Sequence, residues 1–264
     1  MTAPNENAPP TVPRYNVLGV GVSVLSLAQA TKLIVGVRGR PHRGYVCVTG
    51  VHGITEAGDE PTFRDVLNGA WLITPDGMPL VWIGRAHGYS EMTRVYGPDL
   101  MLAVCDAGRA TRLTHYFYGG GPGVAGTLRN RLEARFPGLE VVGTYTPPFR
   151  ALTADETASW RAEIARLRPD VIWIGLSTPK QERLMSTLSG TIDVGVLIGV
   201  GAAFDFHAAL KRQAPRWMQR SGLEWLFRLI AEPRRLGWRY LRNNPLFICR
   251  LLLHATGIRK YPLE

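Results

Sequence analysis

The chain reads as an α/β protein: a mainly parallel, Rossmann-like sheet flanked by helices, followed by a basic helical C-terminal appendage. Three observations carry this reading. Six short apolar runs recur between residues 45 and 200. Segments with helical character separate them. Positive charge is concentrated after residue 210.

The runs are "YVCVTG" (45–50), "AWLIT" (70–74), "LTHYFYG" (113–119), "LEVVGTY" (139–145), "DVIWIGL" (170–176) and "VGVLIGV" (194–200). Several are continuous rather than alternating, as strands buried on both faces should be. Between them, "LTADETASWRAEIARLRPD" opens with a capping box, Thr153 and Glu156, and stops before Pro169. "GPGVAGTLRNRLEARFPG" sets Val124, Leu128 and Leu132 on one helical face and ends at Pro137-Gly138. After Asp76, the residues Leu80, Val81 and Trp82 read as the apolar face of another helix. Repeated strand–helix units imply a parallel sheet covered on both faces. The organisation expected is a disordered lead over residues 1–13, an α/β catalytic domain over 14–210, and a basic amphipathic helical appendage over 211–264.

At 264 residues and 45% hydrophobic content the chain can bury a sizeable core. Cys47, Cys105 and Cys249 are odd in number and widely spaced. They suggest neither a disulfide framework nor a zinc site, and a reducing, cytoplasmic setting fits them. The N-terminal lead lacks the basic-then-apolar pattern of a signal peptide, and no run of 18 apolar residues is present. The net charge of +10 is lopsided. Residues 1–210 hold 19 Lys/Arg against 18 Asp/Glu, and residues 211–264 hold 12 against 3. Such a patch meets phosphates of nucleic acid, anionic lipid or a phosphorylated substrate.

In a parallel sheet, ligands bind beyond the carboxyl ends of the strands. The loops there are Thr49, Gly50 and His52; Asp76; "GGGPG"; "STPKQE"; and "GVGAAFDF". Gly119, Gly120, Gly121 and Gly123 resemble a phosphate loop or, alone, a tight turn. A nicotinamide site would want an acid ending the next strand, and "GTYTPPF" supplies none. Lys180 can meet a phosphate and Gln181 a sugar or base; the same stretch can equally be a polar helix start. Gly201 and Asp205 lie in an apolar loop, where the acid either binds ribose or anchors the loop. His52, His87, His115, His207 and His254 lack metal-ligand spacing and read as structural. Asp76 stands at a strand end among apolar residues, either as a general base or as a cap on the helix that follows. No D-x-D motif occurs.

Taken together, "PDGMPLVW", "RVYGPDLM" (94–101), "YGGGPGVA", "PKQE", "GVGAAFDF" and "KRQAPRWMQRSGLEWLFRLIAEPRRL" (211–236) resemble the WecG/TagA/CpsF glycosyltransferase family over residues 16–242. The resemblance implies a transferase moving N-acetylmannosamine, its uronate or glucose from a UDP-sugar to a polyprenyl-diphosphate-linked acceptor, for teichoic-acid-type or exopolysaccharide synthesis. It puts the family's base on Asp76, its arginine on Arg94 and its glutamine on Gln181, with Thr49 beside them. The chain departs at Gly50, where many members carry Asn.

The expected mechanism is inverting and needs no metal or cofactor. Amides after Tyr118, Lys180 and tail arginines would hold the diphosphate. The resemblance also makes the tail a membrane contact whose arginines complete the site. Arg212, Arg216, Arg220, Arg228, Arg234 and Arg235 are the candidates, with Arg212 or Arg216 placed over the diphosphate. The implied partners are the UDP-sugar, the lipid-linked acceptor and the anionic inner face of the cell membrane, without nucleic acid; homo-oligomerisation is left open. Two other readings stand: a basic nucleic-acid-binding protein, and a UDP-binding module without catalysis.

Overall fold

The structure, a computed structural model, describes residues 12–39, 42 and 44–263. It opens with a hairpin, β1 (Arg14–Val17) and β2 (Val20–Ser23), paired antiparallel. The expected disordered lead falls, for residues 1–11, outside the described residues; Pro13 already accepts a hydrogen bond from the Val24 amide at 2.8 Å.

The main sheet has six strands: β3 (Tyr45–Thr49), β4 (Leu72–Pro75), β5 (Thr114–Gly119), β6 (Glu140–Tyr145), β7 (Val171–Gly175) and β8 (Val196–Gly199). Their order is β4-β3-β8-β7-β5-β6 and every pairing is parallel. All six expected runs are strands of this sheet. Their continuous apolar character has a direct cause. Tyr116 and Tyr118 pack into one core layer and Phe117 into the other; Ile172 and Ile174 likewise oppose Trp173. Alternate side chains enter opposite layers, and both layers are dry.

Helices cover each face. One layer receives Ala30 and Ile34 of α1 (Leu27–Val35), Leu100 and Val104 of α5 (Gly97–Gly108), Leu128 of α6 (Val124–Arg135) and Phe204 of α9 (Ala203–His207). The other receives Ile54 of α2 (Val51–Asp59), Phe63 of α3 (Pro61–Asn68), Leu80 of α4 (Met78–Ala86), Trp160 of α7 (Ala154–Leu167) and Met185 of α8 (Lys180–Leu188). The Thr153–Glu156 capping box forms at α7 as its sequence predicts. In α4, Leu80 and Val81 are buried, but Trp82 is half exposed and belongs to no core layer.

The C-terminal segment forms α10 (Arg216–Arg220), α11 (Glu224–Ala231) and α12 (Pro233–Ala255). Pro233 occupies the first turn of α12, and the helix runs on through Pro245. Phe247 of α12 enters the core layer that holds Ile54. Arg250, set among the apolar residues of "PLFICRLLL" (245–253), turns inward: it donates to the Thr55 carbonyl at 2.9 Å and pairs with Asp59. Its charge therefore anchors α12 on α2. None of the described helices is long and apolar enough to cross a membrane.

Candidate active site

Parallel strands place all six carboxyl ends on one edge. A cleft of about 1330 Å³ opens there, walled on its far side by α11 and α12. Its lining combines the ends of β3 and β4 with the loops after β7 and β8, and adds Trp82 of α4 and Trp225 of α11.

Asp76 is part of this lining. Its backbone N–H donates to the Thr49 carbonyl at 2.9 Å, locking the β4 exit to β3. The helix that follows, α4, takes no side-chain cap; its N-cap is Gly77. Asp76 Oδ1 instead accepts the Gly97 N–H at 3.1 Å, at the first turn of α5. Oδ2 lies on the other side, where a Cβ added at Gly50 would approach to 3.7 Å. Burial pushes the Asp76 carboxyl above its usual range. Arg94, the Gly97 amide and Arg228 oppose that rise, and Glu224 adds to it.

Arg94 is held by the protein through all three nitrogens. Nε donates to the Asp76 carbonyl, one terminal nitrogen to the Gln219 carbonyl at 3.4 Å, and the other to Glu224 Oε2 at 2.5 Å. The guanidinium lies 4.0 Å from the Tyr96 ring centre. Arg94, the position of the family arginine, also lines the cleft, with three of its five N–H donors holding the β4 exit and the tail together. Thr49 lines the cleft, but its Oγ1 is buried with no hydrogen-bond partner.

The glycine loop divides its labour. Gly120 and Gly121 line the cleft. Gly119 does not; a Cβ there would lie 2.7 Å from the Gly175 carbonyl, so the residue permits β5 and β7 to meet. Gly123, at φ 76°, is the N-cap of α6 and is also absent from the lining. Lys180, Gln181, Gly201 and Asp205 all line the cleft. The Gln181 amide is committed internally: Oε1 accepts the Gly201 N–H at 3.1 Å, and Nε2 donates to Glu182 Oε1 at 2.9 Å. Asp205 pairs with Lys211 at 3.0 Å, which also reaches Glu232 at 3.3 Å. That network anchors a loop, the second of its two readings.

Arg228 and Arg235 line the cleft, joined by Arg239 and Tyr240. Arg212, Arg216, Arg220 and Arg234 do not; all four are exposed. The expectation that Arg212 or Arg216 faces the diphosphate is thus corrected. Both precede α11, and it is α11 and α12 that wall the opening. Among the described residues no group of three or more His, Cys, Asp or Glu is placed to hold a metal ion.

The profile of the "Glycosyl transferase WecG/TagA/CpsF family" matches residues 15–261. The chain belongs to this family. It is a glycosyltransferase, as the sequence motifs imply. Among its relatives, an N-acetylglucosaminyldiphosphoundecaprenol N-acetyl-beta-D-mannosaminyltransferase of Bacillus spizizenii (strain ATCC 23059 / NRRL B-14472 / W23) is 28% identical over 78% of this chain and 77% of its own length. A protein of the same name from Bacillus subtilis (strain 168) is 27% identical over 72% of each. For a glycosyltransferase the cleft has the needed parts: a carboxylate, a small-residue loop and cations on the facing wall.

Sequence reasoning missed Glu224, Arg239, Tyr240 and the pair His52–Asn243, joined at 2.6 Å between α2 and α12. His52 is neutral, pushed down to about 4 by burial and by Arg239 and Arg242. The one available signal for Glu224 was its isolation: it is one of only three acids in the last 54 residues.

Proposed function

We propose that this glycosyltransferase moves an N-acetylmannosamine-type sugar from a UDP donor to a polyprenyl-diphosphate-linked N-acetylglucosamine acceptor, with inversion and without a divalent cation. The observation that carries the reading is Asp76, which lines the cleft with Oδ1 held by the Gly97 N–H and Oδ2 beside Gly50, itself a lining residue. In this mechanism Asp76 takes the proton of the acceptor hydroxyl as its oxygen attacks the sugar C1. The bond from C1 to the β-phosphate oxygen breaks on the opposite face, and UDP leaves with the bonding pair. A base works best when its pKa approaches the working pH, and burial moves Asp76 in that direction. Charge on the departing diphosphate is met by Lys180, Arg228, Arg235 and Arg239, with the backbone around Gly120 and Gly121. Gly50, without a side chain, leaves room beside Asp76 Oδ2.

The proposed division of the chain keeps residues 14–210 as the catalytic α/β unit and 211–264 as the appendage. On α12, Trp238, Leu241 and Leu252 are all more than half exposed and recur at helical spacing on one face, and the half-exposed Ile248 between them also borders the cleft. Exposed Arg234 and Arg242 flank them. An apolar stripe edged with arginine suits the anionic inner face of the cell membrane, where the acceptor lipid resides. The tail charge fits this reading better than a nucleic-acid surface, because Arg228, Arg235 and Arg239 turn into the cleft and Arg250 pairs with Asp59.

The test is UDP release from a panel of UDP-sugars with a lipid-diphosphate-linked N-acetylglucosamine analogue, the product linkage being read by NMR. Acceptor-dependent UDP release from UDP-N-acetylmannosamine, giving the β-linked product, is expected. Release from another donor only, or retention at C1, overturns the assignment.

A further inference from the structure

Four charged groups meet beside the cleft, two from the catalytic domain and two from the tail. Asp76 and Arg94 belong to the first; Glu224 and Arg228 come from α11. Glu224 is buried, and it is the sole carboxylate paired to Arg94 among the described residues. Burying a carboxylate is costly unless charge and hydrogen bonds compensate it. Here the compensation is a 2.5 Å contact with a guanidinium that, through Nε, also grips the carbonyl of Asp76 itself. Two acidic residues therefore share one arginine, Glu224 through its carboxylate and Asp76 through its backbone carbonyl.

We propose that Glu224 is a positioning residue for the Asp76 base: carried in by the C-terminal segment, it clamps Arg94 against the Asp76 carbonyl and so fixes Asp76 where it lines the cleft. The inference rests on the reading of Asp76 as the base.

The geometry gives Arg94 no slack. Its three nitrogens are bound to three separate groups, and its face lies on Tyr96. Two of those groups, the Gln219 carbonyl and Glu224, come from the tail. Without Glu224, Arg94 keeps its charge and loses its shortest side-chain partner. Nothing then balances Arg94 and Arg228 together except Asp76, and the guanidinium is drawn toward the carboxylate it should leave free. The groups facing Asp76 are Arg94 and Tyr96 from the segment before α5, Glu224 and Arg228 from α11, and Tyr240 from α12. Within that set Glu224 raises the Asp76 carboxyl and both arginines lower it. Removing the negative charge at 224 makes Asp76 a stronger acid and a weaker base. A tail residue thereby acts on the reacting oxygen without touching substrate.

The experiment compares wild type, Glu224→Gln, Glu224→Asp and Asp76→Asn in the full-length chain, measuring kcat, KM for the UDP-sugar and the acid limb of kcat against pH. A misplaced catalytic group costs up to about 100-fold. Glu224→Gln is expected to lower kcat roughly 10- to 100-fold with KM for the donor little changed, and to shift the acid limb to lower pH. Glu224→Asp, keeping the charge, should keep the limb in place and recover part of the rate. A folded Glu224→Gln enzyme with wild-type kcat overturns the proposal, and so does a loss of kcat with an unmoved acid limb. Should Glu224→Gln unfold, the charge-neutral double variant Glu224→Gln/Arg94→Gln removes the unpaired guanidinium; wild-type turnover in it overturns the proposal, and a comparable loss supports it. Asp76→Asn separates the two readings. Full activity there sinks the base itself, whereas an inactive Asp76→Asn beside a normal Glu224→Gln sinks only the role of Glu224.

Discussion

Gly97 donates its backbone N–H to Asp76 Oδ1 at 3.1 Å, so the carboxylate that follows β4 rests on the first turn of α5 and not on the helix it immediately precedes. An asparagine can accept the same hydrogen bond but cannot take a proton. Asp76→Asn should therefore keep its melting temperature and UDP affinity while kcat falls roughly 10²–10⁴-fold. Calorimetry with UDP and a turnover assay check this together. Turnover near wild type would leave Asp76 a purely structural acceptor.

Activity should persist in excess EDTA. Lys180, Arg228, Arg235 and Arg239 line the cleft, and they are the cations proposed to meet the charge of the leaving diphosphate. Turnover lost on chelation and regained with Mg²⁺ or Mn²⁺ would show that these cations do not suffice.

Substituting the outer face of α12 should separate docking from chemistry. Trp238 and Leu241 are 77% and 70% exposed, so Trp238→Glu/Leu241→Glu breaks no core packing. Sedimentation with anionic vesicles should drop several-fold, and high salt should weaken wild-type binding, since each basic residue near the surface contributes about 1 kcal/mol. Turnover on a short, water-soluble acceptor should be unchanged. Removing the whole tail would not separate the two, because Leu236, Phe247 and Tyr261 are core residues.

Arg250→Ala should destabilise the fold by about 1–3 kcal/mol, the usual worth of hydrogen bonds made by a charged group, although Asp59 keeps Arg242 as a partner. It removes the hydrogen bond to Thr55 and the pair with Asp59 that seat α12 on α2. Chemical denaturation measures it; an unchanged midpoint would mean that α12 is held by Phe247 and its neighbours alone.

His52 and His115 are both pushed down to about 4 by burial, and His115 Nδ1 accepts a hydrogen bond from Trp173 at 3.0 Å. Unfolded, each titrates near 6.5. Their depressed folded values mean that stability is fully present above about pH 6.5 and is lost as pH falls toward 4. Melting temperature measured from pH 8 to pH 4 should decline over that window, and His115→Gln should flatten the decline.

The sheet was legible because its strands are buried on both sides, which leaves a continuous apolar signature in each. The hairpin β1–β2 was not, since "RYNV" and "VGVS" are four-residue strands joined by Leu18 and Gly19, both at positive φ. A two-residue turn of that kind is usually announced by Asn-Gly, and leucine in the first position hides it. Asp76 was legible from its place at a strand end, and its company was not. Glu224 meets Arg94 across 130 residues of sequence. No periodicity or local motif encodes such a partnership, and the same holds for Arg250 and Asp59. Trp82 misled because its neighbours Leu80 and Val81 are core residues while it lines the cleft.

The strand order has a consequence for how the enzyme is made. β8 is the last strand of the main sheet in the chain, yet it lies third in space, between β3 and β7. During synthesis β3 and β4 can pair early, and β5, β6 and β7 can assemble as a second raft. No ladder links the two rafts until residues 196–199 emerge and slot between them. Such long-range pairing is slow. Asp76 rides on the first raft and the glycine loop on the second, so these two parts of the cleft lining are joined by no strand ladder until β8 has been made.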